Sequence, residues 1–193
     1  VGLDRLDRHR PFLLLLLYGA ALLVLAPAVV NGDGVGYLRQ VEGTSLAPGH
    51  LAYLPLLRVL HHLSAPETPA DLILPARLLG VGCALAALAL LHDAVRRASG
   101  SAPQALFAAA LLALSHAFLR AAADVEAYAP ATLLVVATLW TLVRYRLAPP
   151  RRQLGWALAA GVLAGAQVHL HLTLALVGPS VVVLLFRWGA DPG

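Results

Sequence analysis

Three short polar clusters, far apart in an otherwise apolar chain, carry the residue types that can do chemistry. They are Asn31-Gly-Asp-Gly-Val-Gly36, Arg120-Ala-Ala-Ala-Asp-Val-Glu-Ala-Tyr128 and His169-Leu-His-Leu-Thr173. A carboxylate such as Asp33 or Glu126 at a water–lipid boundary can act as general base towards an acceptor hydroxyl. An arginine at the same depth offers a fixed charge and paired donors to a phosphate, which makes Arg120 and Arg77 candidate substrate-binding groups. Asp124 and Glu126 together could hold a divalent cation through oxygen ligands, the one cofactor these residues suggest.

Each cluster also has a plain structural reading. Asp33 can be an ordinary turn residue, because its neighbouring glycines allow turns that other residues resist. Asp124 and Glu126 can cap the helix that follows them, since acidic groups favour a helix N-terminus. His169 and His171 are two apart and project in different directions on a regular helix, so one functional and one packed histidine is expected rather than a metal pair. Arg77 and Arg120 can snorkel to headgroups. His116 is expected to be hydrogen-bonded within a bundle, and His92 to decorate a boundary beside Asp93.

The elements that must position these clusters are set by composition. Of 193 residues 60% are hydrophobic and 12% charged, and the mean hydropathy is +0.77. Soluble domains carry about 25% charged residues, so a water-soluble fold of this length could not hide the apolar surface. A bilayer can. The expected fold class is all-α, a polytopic transmembrane helical bundle forming one domain over residues 1–193. The pI near 9.8 raises nucleic acid as a partner. All 14 basic residues are arginines clustered between apolar segments, which topology explains better, so nucleic acid is set aside. The lone Cys83 reads as a small buried hydrophobe.

A transmembrane helix needs about 20 predominantly apolar residues. The passes expected are Phe12 to Val30, Leu72 to His92, Gln104 to Ala123 and Tyr128 to Val143. Two short helices over 154–188, meeting near Gln167 to His171, follow them, about six passes in all. Ala26-Pro-Ala28 after a basic flank resembles a signal-peptidase site, but further apolar runs favour a retained first helix. The chain ends directly after an apolar segment, and an N-terminal portion of a longer protein is expected.

With a cytoplasmic N-terminus, ten of the fourteen arginines fall in cytoplasmic segments, as positive residues do during insertion into an inner membrane. Asp33, Glu42, Glu67, Asp71, Asp124 and Glu126 then all lie outside, with the three polar clusters. In the external loop over 31–71, Leu51 to Leu63 is too short to span. It is expected to be an amphipathic helix in the membrane interface, with Arg58, His61 and His62 on one face.

On these residues the chain resembles bacterial multi-pass proteins related to protein O-mannosyltransferases, within the GT-C glycosyltransferase superfamily. The matching features, in order, are Gly32-Asp33-Gly34, then Ala47-Pro-Gly-His50-Leu-Ala-Tyr53, then Glu126-Ala127-Tyr128, and finally Gly165 through His171-Leu172-Thr173. The family often has an acidic residue where this chain has Gly36, and His-Pro-Pro-Gly-Tyr-Pro where this chain has Leu46 to Leu51. The resemblance implies an enzyme that takes sugar from a polyprenyl-phosphate carrier and attaches it to an extracytoplasmic protein or glycan acceptor. It implies Asp33 as catalytic base, with Glu126 and His171 positioning donor phosphate, metal or acceptor. His50, Tyr53, Tyr128 and His169 join the arginines as candidate substrate-binding residues.

Two other readings use the same residues. A transporter or flippase-like protein would line a path with them, with charges near the bilayer midplane. A non-catalytic membrane subunit would tolerate joint replacement of Asp33, Glu126 and His171.

Overall fold

The computed structural model describes residues 3–43, 51–171, 174–175 and 177–190. Among them all regular structure is helical. The helices are α1 (Leu3–Val24), α2 (Gly32–Gln40), α3 (Tyr53–Ser64), α4 (Ile73–Ser99), α5 (Ala102–Ala113), α6 (His116–Ala123), α7 (Tyr128–Leu147), α8 (Pro150–Leu170) and α9 (Val177–Ala190), with a 3-10 turn, Pro69–Leu72, leading into α4.

α4 and α7 form the centre. α7 packs between α4 and α8, while α1, α5 and α6 lie against α4. The buried face of α4 explains the close approach. Ala76, Gly80, Ala84 and Ala87 are small and recur at three- and four-residue spacing. That stripe lets neighbouring backbones come near, as in membrane helix pairs. A Cβ on Gly80 would sit 3.1 Å from the Ala122 carbonyl oxygen. On α7, Thr138 and Thr141 are buried, and their hydroxyls donate to the Leu134 and Thr138 carbonyls at 2.8 and 2.7 Å, so neither is left unsatisfied.

The outer surface is apolar. Leu154, Leu158 and Val162 on α8 recur every fourth residue and are 70%, 62% and 71% exposed. A stripe of that kind suits lipid, not water. The segment Pro69–Ser99 is long and apolar enough to cross a membrane, and the bent α5–α6 pair meets the same standard if taken as one span. Among the described residues no other helix does, fewer than the six passes expected.

Local departures from the sequence reading have physical causes. The third expected pass is broken: α5 and α6 meet at 66° across Leu114 and Ser115, with no proline or glycine there. The Ser115 amide and hydroxyl both donate to the Leu112 carbonyl, at 3.1 and 2.9 Å, which turns the chain out of the α ladder. α4 runs seven residues past His92 and stops at Gly100, whose φ of 70° is the left-handed conformation that closes many helices. α8 begins at Pro150, earlier than expected, and takes Arg151 and Arg152 into its first turn.

The segment expected to turn around its glycines is instead helix α2. Gly32, Gly34 and Gly36 lie within it, and Asn31 is its N-cap. α3 is the expected short amphipathic helix, but its apolar face, Tyr53, Leu54 and Leu57, is buried in the protein. Arg58 does not project to headgroups alone: its guanidinium donates to the Val41 and Gln40 carbonyls that end α2, at 3.3 and 3.5 Å.

α2 can seat itself only because Gly34 lacks a side chain. A Cβ there would lie 2.4 Å from Val30 Cγ1 and 2.8 Å from the Val125 carbonyl oxygen, whereas one on Gly36 meets nothing within 4 Å. Gly34→Ala is expected to destabilise the protein by about 1–3 kcal/mol through overpacking. Gly36→Ala should be neutral or stabilising by up to about 1 kcal/mol through helix propensity. Thermal unfolding of the detergent-solubilised chain checks both, and equal effects would contradict this seating of α2.

Candidate active site

The connector between α6 and α7 holds the site together. Ala121 to Ala127 are all buried, with Asp124 and Glu126 only 2% and 8% exposed. Connectors usually run over the surface, and buried carboxylates need partners. Asn31 supplies them. Its side-chain oxygen accepts from the Gly34 amide at 2.7 Å, capping α2, while its side-chain nitrogen donates to Glu126 Oε1. The Asn31 backbone amide donates to Asp124 Oδ2 at 3.4 Å, and Asp124 Oδ1 accepts from the Val125 amide at 2.8 Å.

Asp33 follows two residues after this bridge. It stands exposed in the first turn of α2, where the helix N-terminus favours a negative charge. One helical turn on, buried Tyr37 meets buried Tyr53 edge to face, with ring centroids 4.9 Å apart. Burial pushes the Tyr37 phenol well above its ordinary range, and the carboxylates of Glu126 and Asp33 push it further. The Tyr53 phenol is raised in the same way, by burial first and then by Glu126. Both phenols therefore remain protonated donors beside the acidic groups.

The third polar cluster joins from α8. The His171 ring lies against Tyr128, centroids 4.9 Å apart and planes tilted by 35°. The His169 carbonyl accepts from the Ala52 amide at 2.8 Å, which ties the start of α3 to the end of α8. The His169 side chain itself is exposed.

Beside this cluster a groove of about 540 Å³ opens between the α5–α6 bend and the start of α7. Glu126 and Tyr128 line it with Arg120, Ser115, His116 and Thr132. Arg120 is exposed, so its guanidinium is available to an anion there. The bend at Ser115 forms part of the groove wall.

The structure thus gathers Asp33, Asp124, Glu126, Tyr53, Tyr128 and His171 at one end of the bundle, with Arg120 in the adjoining groove. Arg77 plays a different part. It donates to the Pro27 carbonyl and so ties the start of α4 to the link between α1 and α2. Asp124 and Glu126 do not cap α7, whose N-cap, Ala127, makes no side-chain bond. Glu126 Oε1 and both Asp124 oxygens accept hydrogen bonds. Among the described residues no three His, Cys, Asp or Glu side chains are placed to share a metal. His50, Leu172 and Thr173 lie outside the described residues.

Sequence reasoning passed over Tyr37 and Thr132, and named Asn31 and His116 without assigning them to the site. Asn31 could have been found as a helix N-cap, since asparagine leads that position; the glycines after it drew the reading towards a turn. His116 is not a bundle-internal residue but an exposed one on the groove wall.

Residues 70–190 match the sequence model of a family described as dolichyl-phosphate-mannose-protein mannosyltransferase. The matched region contains the connector, the groove and His171, and starts after Asp33. No curated protein and no solved structure matches the chain.

Asn31→Ala is expected to cost about 0.5–2 kcal/mol, the range for a lost N-cap. Asn31→Asp should be worse, although aspartate caps equally well, because it places a third carboxylate against Glu126 and Asp124. Melting temperatures of the two variants at neutral pH check the order, and the reverse order would contradict the bridge.

Proposed function

The chain belongs to the dolichyl-phosphate-mannose-protein mannosyltransferase family, and on that premise we propose that it is a membrane glycosyltransferase. It moves a sugar from a polyprenyl-phosphate donor to a protein or glycan acceptor outside the cytoplasm. The observation that carries this reading is the convergence of an exposed carboxylate, Asp33, with a groove holding Arg120, Glu126 and Tyr128, the two knitted together through Asn31.

Asp33 is the general base. The acceptor hydroxyl oxygen attacks the anomeric carbon of the sugar and its proton passes to the Asp33 carboxylate. The bond from that carbon to the phosphate oxygen breaks, and polyprenyl phosphate leaves with the electron pair. Arg120 neutralises the leaving phosphate, a role for which a fixed, forked guanidinium is suited. Glu126 holds Asn31, and through it Asp33, in register with the groove. Tyr128 and His171 form one wall against the sugar or acceptor, and Tyr53 supports that wall from below.

In this reading the chain crosses an inner membrane about six times, through α1, α4, the α5–α6 pair, α7, α8 and α9, with the N-terminus in the cytoplasm. The acidic end faces outwards and the arginines at the far ends of α4 and α7 face the cytoplasm, in keeping with positive-inside retention. α3 lies across the outer mouth of the bundle.

Asp33→Ala and Asp33→Asn in the full-length protein should lower sugar transfer by about 10²–10⁴-fold while leaving membrane insertion intact. Transfer from a radiolabelled polyprenyl-phosphate sugar to acceptor in isolated membranes measures this. Unchanged transfer sinks the assignment.

A further inference from the structure

At the opposite end of α4 from the carboxylates, α4, α7 and α8 enclose a second cleft, of about 260 Å³. Three guanidinium groups line it, those of Arg97, Arg144 and Arg152, each from a different helix. Arg97 is paired with Asp93 at 2.6 Å, and Asp93 also accepts from the Trp140 indole at 2.8 Å. Arg144 lies over two aromatic faces, 5.4 Å from the Trp140 ring and 5.1 Å from that of Trp156. Those rings are themselves packed edge to face at 5.5 Å. Among the described residues neither Arg144 nor Arg152 has a carboxylate partner. The cleft therefore carries uncompensated positive charge, of which the Arg144 part is held in place by stacking on the two indoles.

The backbone adds to that charge. α8 starts at the cleft without a side-chain cap and without an acidic residue in its first turn. Arg152 stands there instead, on the cleft wall, against the partial positive charge of the helix start, while Arg151 in the same turn does not line the cleft. Each of these features is unfavourable alone and becomes favourable with an anion in the cleft.

Depth identifies the anion's source. The 27 residues of α4 rise about 40 Å at 1.5 Å each, more than the roughly 30 Å of a hydrocarbon core. With the acidic end at one surface, the arginine cleft sits at the level of the opposite headgroups. Trp140 and Trp156 are the residue type that marks that level. Leu147, 56% exposed, gives the cleft an apolar lip that a soluble phosphate has no use for.

We propose that this cleft binds the phosphate headgroup of an anionic phospholipid, gripped by Arg144 and Arg152 and flanked by Trp156 and Leu147. It rests on the topology given under the proposed function for the depth of the cleft and for the leaflet that supplies the lipid, the cytoplasmic one. The bound lipid bridges α4, α7 and α8 at the end remote from the groove.

The test is lipid retention by the full chain, measured by native mass spectrometry and by titration with phosphatidylglycerol, with phosphatidylcholine and inorganic pyrophosphate as comparison probes. Phosphatidylglycerol should be retained in preference to phosphatidylcholine. R144Q/R152Q should weaken it roughly thirtyfold, about fivefold for each arginine near the surface. The charge-matched R146Q/R151Q, whose arginines do not line the cleft, should stay within about twofold of the parent. R152Q alone, at an exposed position, keeps the comparison available if the double variant does not fold. Equal loss in both double variants would mean diffuse surface attraction and overturn the site. Pyrophosphate binding without preference for phosphatidylglycerol would overturn the lipid. D33A should bind lipid like the parent, so failure of the transferase reading leaves this outcome readable.

Discussion

Two carboxylates buried in the connector from α6 to α7 impose the constraint on which the acidic end depends. A buried carboxylate without partners costs several kcal/mol, so Asp124 and Glu126 can stay where they are only if donors are brought to them. The chain brings Asn31, 93 and 95 residues away in sequence. That single residue caps α2, donates to Glu126 Oε1 and sets Asp33 two residues beyond the contact. Gly34 then follows as a requirement, because α2 approaches the Val125 carbonyl closely enough to exclude a side chain, and Gly80 lets α4 come close to the Ala122 carbonyl near the end of α6. The remaining core at this end, Val30, Tyr37, Tyr53, Leu72, Val125 and Leu170, draws one or more residues from each element that meets there.

The two ends of the bundle answer opposite electrostatic demands. At one end acidic groups are buried and bridged, with protonated phenols beside them. At the other, arginines are stacked on tryptophans and only partly neutralised by Asp93. Separating the charges along α4 gives the two ends of the bundle opposite electrostatic character, which on the proposed reading suits each end to a different ligand.

Much of this was legible in the sequence, and the parts that were not share a cause. The helical class, the short helix after Leu51, the break near His171 and the gathering of Glu126, Tyr128 and His171 followed from apolar run lengths and the positions of polar residues. The family relation was legible too, in Glu126-Ala-Tyr128 and the residues up to His171. What failed were decisions made by tertiary contacts. The glycines around Asp33 suggested a turn, yet they serve a helix that needs Gly34 for close packing. Ser115, in an apolar run without proline or glycine, gave no sign of bending the third pass. Arg58 read only as part of the polar face of an interfacial helix, because nothing local reveals that its guanidinium meets the end of α2.

The most direct measurement is a double-mutant cycle between Asn31 and Glu126, read as thermal stability of the solubilised chain with Asn31→Ala, Glu126→Ala and both together. If Asn31 holds the connector to α2, the two changes are coupled by about 0.5–3 kcal/mol, as for residues in one hydrogen-bond network. Strict additivity would contradict the bridge, and with it the proposed register of Asp33 with the groove.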